Sequence, residues 1–263
     1  MAAVVVLAVL AVVGYVVGVR RLADRGRRWP QSRTAPFVAG AAILAAASEL
    51  GLGRYDTDSF SAHMLEHVAL GMVIPLLLAL GAPFTLALQT SGPVVRSTLR
   101  RAVRSRPVAV VTHPVVGWTL FGLTPFVLYF TPLFDLSLRN GFVHGAVHLH
   151  LLAVGCLFCW PAVGIDAVGH RLPHGGRVLY LFVAVPFHAV LGLAILSAKL
   201  PLAESSYGPG LADQRTAAAI VWVAGDLFGL LAGGVAVVRW MAADERDAAR
   251  MDRAELVSSP PTP

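Results

Sequence analysis

The sequence predicts an all-α membrane protein: a seven-transmembrane helical bundle with its N-terminus outside and its C-terminus cytoplasmic. Three observations carry this. Of 263 residues, 56% are hydrophobic and 14% charged, where an average soluble domain is about 25% charged; mean hydropathy is +0.69. The apolar residues fall into runs near the length of about 20 helical residues that a hydrocarbon core requires. The basic residues are segregated by loop, which in a membrane protein reports topology. A soluble globular enzyme, a fibrous protein and a disordered chain are excluded on these grounds. A disulfide framework is excluded too, because the only cysteines are Cys156 and Cys159.

Spans are expected at about 1–19, 36–52, 62–88, 108–130, 141–161, 178–198 and 216–240. The first begins without a basic segment and is followed by no small-residue cleavage site, so it reads as a retained helix. All of the 21 basic residues except Arg54, Arg139, Lys199 and Arg215 lie in segments 20–33, 96–106, 162–177 and the tail. That set is assigned to the cytoplasm. The outside loops are then 53–61, 131–140 and 199–215, with Asp56, Asp58, Asp135, Glu204 and Asp213. Residues 1–240 form the transmembrane domain and 241–263 a charged cytoplasmic tail. Within the tail, 242–256 reads as a solvated helix and SSPPTP at 258–263 as disordered.

Ionisable side chains inside spans are costly and mark functional sites. Here they are Glu49, His63, Glu66, His67, His113, His144, His148, His150, His188 and Asp226. Most fall in the outer half of the bundle. His63 and His67 stand at i, i+4 and share a helix face; His144 and His148 repeat the spacing. Two such pairs on different helices can converge on one ion. Imidazole suits copper, zinc, iron and nickel, and Met64 and Met72 are soft donors nearby. Glu66, Glu49, Asp226 and His188 are further candidates for the metal set, Glu49 and Asp226 otherwise forming a structural pair. His150 is expected to face away and bridge helices. His113, before Pro114, is expected to satisfy a carbonyl freed by the proline. His170 and His174 repeat the spacing in a polar loop and are read as solvated. Cys156 and Cys159 lie deep in an apolar run, where thiols pack as small hydrophobes.

Several motifs together resemble the polytopic cytochrome c oxidase assembly factors called CtaG. They are His63-Met64-Leu65-Glu66-His67, Pro75, and Leu80-Gly81-Ala82-Pro83 running on to Leu88. Thr131-Pro132-Leu133-Phe134-Asp135, His144 to His148, Pro186-Phe187-His188 and Asp213-Gln214 extend the match. So do Trp222 with Gly225-Asp226, and Arg239-Trp240 leading into Asp244-Glu245-Arg246. Glu66 and Asp226 stand where many members carry Gln and Glu. The resemblance implies a bacterial plasma-membrane protein that helps deliver copper to the catalytic subunit of haem–copper cytochrome c oxidase, with an extracytoplasmic copper chaperone as a further partner.

The residues alone give a metal-binding membrane protein, with the lipid bilayer as partner and no nucleic acid; the resemblance implies copper as the ion, with zinc as the alternative. The competing class is an intramembrane zinc-dependent hydrolase, with Glu66 or Asp226 as general base and Ser48, Ser59 and Ser61 to be tested. No H-E-x-x-H order supports it. A haem protein is disfavoured, since haem takes single ligands from opposite faces.

Overall fold

The computed structural model describes residues 2–49, 59–166 and 170–258. Every regular element among them is helical: α1 (Ala2–Asp24), α2 (Gln31–Glu49), α3 (Phe60–Val68), a π turn (Ala69–Val73), α4 (Ile74–Leu80), α5 (Pro83–Thr90), α6 (Pro93–Val103), α7 (Arg106–Val111), α8 (Pro114–Tyr129), α9 (Leu133–Arg139), α10 (Gly141–Val163), α11 (His174–Ser197), α12 (Glu204–Tyr207) and α13 (Leu211–Ser258).

Five of these stretches are long and apolar enough to cross a membrane, or six if α8 and α9, bent by 72°, form one broken span. Five or six membrane-length stretches are thus found among the described residues, where seven spans are expected. α2 lies outside the set: its first turn is Gln31-Ser32-Arg33, it contains Pro36, and its apolar content is mostly alanine. The expected run 108–130 is divided between α7 and α8. His113, which precedes Pro114, adopts an extended conformation (φ −66°, ψ 132°), because the proline ring disfavours helical geometry in the residue before it.

The run 62–88 lies within one membrane-length stretch, Phe60–Thr90, whose helix is locally reshaped for a related reason. Pro75 has no N–H to offer the Gly71 carbonyl one turn earlier, and its ring crowds that carbonyl. The helix widens there into the π turn Ala69–Val73. A second irregularity follows at Ala82, which takes a left-handed conformation (φ 47°) before Pro83 opens α5. At the other end of the chain, α13 continues unbroken from its apolar segment through residue 241 into the charged stretch. The expectation for SSPPTP falls mainly on residues outside the described ones, as does most of the loop 53–61.

Large apolar side chains such as Leu10, Leu193, Leu231 and Val238 are exposed around the outside of the bundle, as a surface facing acyl chains requires. Without a hydrophobic drive between helices in lipid, close backbone approach supplies the association. α11 and α13 pack along their lengths. Gly225 and Gly229 make this possible: a Cβ on the first would meet His188 Cβ at 2.2 Å, and one on the second would meet Val185 at 2.2 Å. Gly155 does the same for α10 against the π turn, where a Cβ would lie 2.2 Å from the Gly71 carbonyl oxygen. The apolar core, with Phe60, Met64, Phe121, Phe134 and Phe158, sits between α3, α8, α10, α11 and α13.

Candidate metal centre

The histidines owe their common level to two helix starts. Ser59 caps α3, its hydroxyl accepting from the Ala62 N–H at 3.4 Å. Asn140 caps α10, its amide oxygen accepting from Phe142 and Val143 at 3.0 and 3.2 Å. His63 and His67 stand four and eight residues beyond the first cap, and His144 and His148 four and eight beyond the second. Equal offsets from two neighbouring N-termini put the pairs at one depth. Asp213 of α13 reinforces the α3 start from across the bundle: its carboxylate accepts from the Phe60 N–H at 2.5 Å and from the Ser59 hydroxyl at 3.1 Å.

The two pairs meet. Ring centroids lie 4.2 Å apart for His63 and His67, 5.3 Å for His67 and His148, 5.4 Å for His63 and His144, and 4.1 Å for His144 and His148. Donor atoms of His63, His67 and His148 all fall within 4.8 Å of one another. Nitrogens bound at 2.0–2.1 Å to a tetrahedral ion stand roughly 3.3 Å apart, so small ring movements would bring these three onto one metal. His144 flanks the trio and is not part of it by this distance. His63 and His67 are buried, His148 half-buried.

Two further side chains orient the trio. The Tyr129 hydroxyl of α8 lies 2.6 Å from His67 Nδ1 and donates to Met64 Sδ at 3.3 Å. Glu66, buried, places Oε1 3.6 Å from His148 Nδ1, an ion-pair distance and longer than a good hydrogen bond. His67 Nδ1 faces Tyr129, so Nε2 is the atom this ring would offer a metal; ligand histidines are commonly held in this way. Glu66 thus stands behind His148 as a charge partner. Phe134 and Tyr207 close over His63, at centroid distances of 5.5 and 6.3 Å. α12, which carries Tyr207, is tied to α9 by Ser205 and Asp135 at 2.8 Å.

The remaining predicted site residues are placed differently. His188 is buried on α11 against Phe121 (5.1 Å), its Nδ1 3.4 Å from the Ala184 carbonyl. It lies outside the trio but shares with His67, Met64 and Met72 a cavity of ≈ 40 Å³, room for about one or two waters. Asp226 is within electrostatic reach of His188, and its Oδ1 is buried without a hydrogen-bond partner among the described residues. The Glu49 side chain lies outside the described residues, and with it the proposed Glu49–Asp226 pair.

His150 bridges helices as expected, with Nε2 3.1 Å from the Thr124 hydroxyl. His113 differs from expectation: its Nδ1 accepts the Val115 N–H at 3.3 Å, capping α8 instead of satisfying a carbonyl. Just before a helix N-terminus, the imidazole nitrogen faces the orphan N–H groups of the first turn. Cys159 is buried in the apolar core. Tyr129 and Asp213 were missed as site residues by sequence reasoning. The one available signal for Tyr129 was a phenol at the end of an apolar span, whose hydroxyl must find a partner once buried.

Comparison with known proteins agrees with the motifs. No solved structure matches the chain. It is 36% identical over 260 residues to the uncharacterized protein Mb0105 of Mycobacterium bovis, covering 93% of this chain and 39% of that protein. It is 36% identical over 263 residues to the uncharacterized protein ML1998 of Mycobacterium leprae, covering 94% and 40%. The chain thus spans about two fifths of the length of these relatives. Residues 13–243 match the family described as cytochrome c oxidase caa3 assembly factor. A helical chain with membrane-length segments, matched over most of its length, belongs to the cytochrome c oxidase caa3 assembly factor family.

Proposed function

We propose that this chain holds a copper ion on His63, His67 and His148 and hands it to the catalytic subunit of a haem–copper cytochrome c oxidase during assembly. The observation that carries the reading is the convergence of three imidazoles from two helices in a member of an oxidase assembly family. Copper is the cargo, so no bond in an organic substrate changes. Three neutral imidazoles suit copper or zinc, and the Glu66 carboxylate beside His148 offsets one positive charge where the dielectric is low. His144, next to His63 and His148, is placed to exchange with a ring of the trio, and release proceeds through such ligand exchange onto histidines of the oxidase at similar depth. His188 and Asp226 serve as support below the site.

The chain sits in the bacterial plasma membrane as a seven-span protein, N-terminus outside, and receives its ion from an extracytoplasmic copper chaperone. A host strain lacking its own copy of the gene tests the role. Wild-type chain restores oxidase activity and the copper content of the purified oxidase, and His67→Ala/His148→Ala restores neither, while haem content is unchanged. Full restoration by that variant contradicts copper delivery through this site.

A further inference from the structure

We propose that the arginine-rich end of the bundle, opposite the histidines, binds an anionic phospholipid, with an acyl chain in the cleft between α4, α10, α11 and α13 and the phosphate between Arg177 and Arg239. A cavity of ≈ 170 Å³ lies there. Its walls are apolar, with Leu76 of α4, Leu181 of α11 and Phe228 of α13, and its basic groups are confined to His174, Arg177 and Arg239. His174 and Arg177 occupy the first turn of α11, and Arg239 follows the apolar stretch of α13. An amphipathic cavity with its cations at one end has the polarity of a phospholipid.

The charge balance points the same way. Arg171 and Arg239 both lie within electrostatic reach of Arg177, and among the described residues no carboxylate forms an ion pair with any of the three. Asp166, close in sequence, has both oxygens engaged by the Phe84 and Thr85 N–H groups, the Thr85 hydroxyl and the Trp160 indole. Arg177 is held in place by its Nε donating to the Leu172 carbonyl at 3.0 Å. Like charges gathered at the edge of hydrocarbon call for an anion, and basic pockets between membrane helices recognise anionic head groups. Trp240 packs over Gly175 beside them, at the level where indoles favour the head-group layer. Inorganic phosphate would balance the charge but leave the apolar cavity unfilled.

The test uses the full chain, purified in mild detergent and incubated with phosphatidylglycerol, with phosphatidylcholine of the same acyl chains, or with inorganic phosphate. Retained lipid is measured by native mass spectrometry. Phosphatidylglycerol should be retained roughly ten-fold over phosphatidylcholine, the scale of one or two charge-assisted contacts. Arg239→Gln removes a charge without touching the Arg177 hydrogen bond to Leu172, and Ala236→Phe fills the cavity with every charge intact. Each should lower retention to the phosphatidylcholine level, and Arg250→Gln/Arg253→Gln in the tail should leave it unchanged. Equal retention of the two lipids, wild-type retention by Ala236→Phe, or displacement of phosphatidylglycerol by inorganic phosphate overturns the proposal.

Discussion

At the level of single residues, Tyr129 makes the most specific demand. Its hydroxyl lies 2.6 Å from His67 Nδ1 and 3.3 Å from Met64 Sδ. With a metal on Nε2, the His67 proton sits on Nδ1 and the phenol oxygen accepts it, the phenol's own proton turning to the sulfur. Tyr129→Phe should therefore lower metal affinity about 10- to 100-fold, the range for lost supporting hydrogen bonds, while the protein stays monodisperse. Competition with a chelator of known affinity measures it, and wild-type affinity in the variant removes Tyr129 from the site. The HxxxH spacing was legible because it is local: i and i+4 share a face whatever surrounds them. Tyr129 and Asp213 were not, because their roles depend on α8 and α13 meeting α3, and pairings between distant segments leave no periodic trace. The equal offsets of His63 and His144 from Ser59 and Asn140 were in the sequence, but their meaning required both residues to be caps of adjacent helices.

At the level of elements, the prolines explain most of the differences between expected spans and observed helices. Hydropathy reports that 62–88 and 108–130 are apolar, but it does not register a missing N–H. Pro75 with its π turn and Ala82 before Pro83 reshape the first run, which stays one membrane-length stretch, and His113 before Pro114 divides the second. The π turn also creates a close contact, since α10 approaches it at Gly155. Gly155→Ala should be destabilising by on the order of 1–3 kcal/mol, as overpacking of a tight interface is. Gly145→Ala on the same helix has nothing within 4 Å of its new Cβ and should be accepted. Thermal unfolding of the two variants in one detergent compares them directly. Equal stability contradicts the close packing of α10 on the π turn.

At the level of the whole molecule, the arginine-rich segments and the histidines occupy opposite ends, joined by helices that run between them. Arg25 of the first loop donates to the Gln89 and Thr90 carbonyls at the end of α5, while His63, His144 and Tyr207 gather at the other end. This polarity was legible from charge counting alone, whereas hydropathy does not settle α2, which is polar at its start. The topology proposed here makes a reporter fused after Arg100 cytoplasmic and one inserted near Asp58 external; both on one side contradicts it. The central claim is that one ion joins the helices at the histidine end, and copper per chain in purified, monodisperse protein tests it most directly. His63→Ala/His67→Ala and His148→Ala should each remove most of the copper, with little further loss when His144 is also replaced, because residues acting on one ion are non-additive. His144→Ala alone should retain most of it, and so should His170→Ala/His174→Ala, the same spacing at the other end. Full occupancy in the variant lacking His63, His67, His144 and His148 would contradict the site, leaving the four rings as hydrogen-bonding and packing groups between helices.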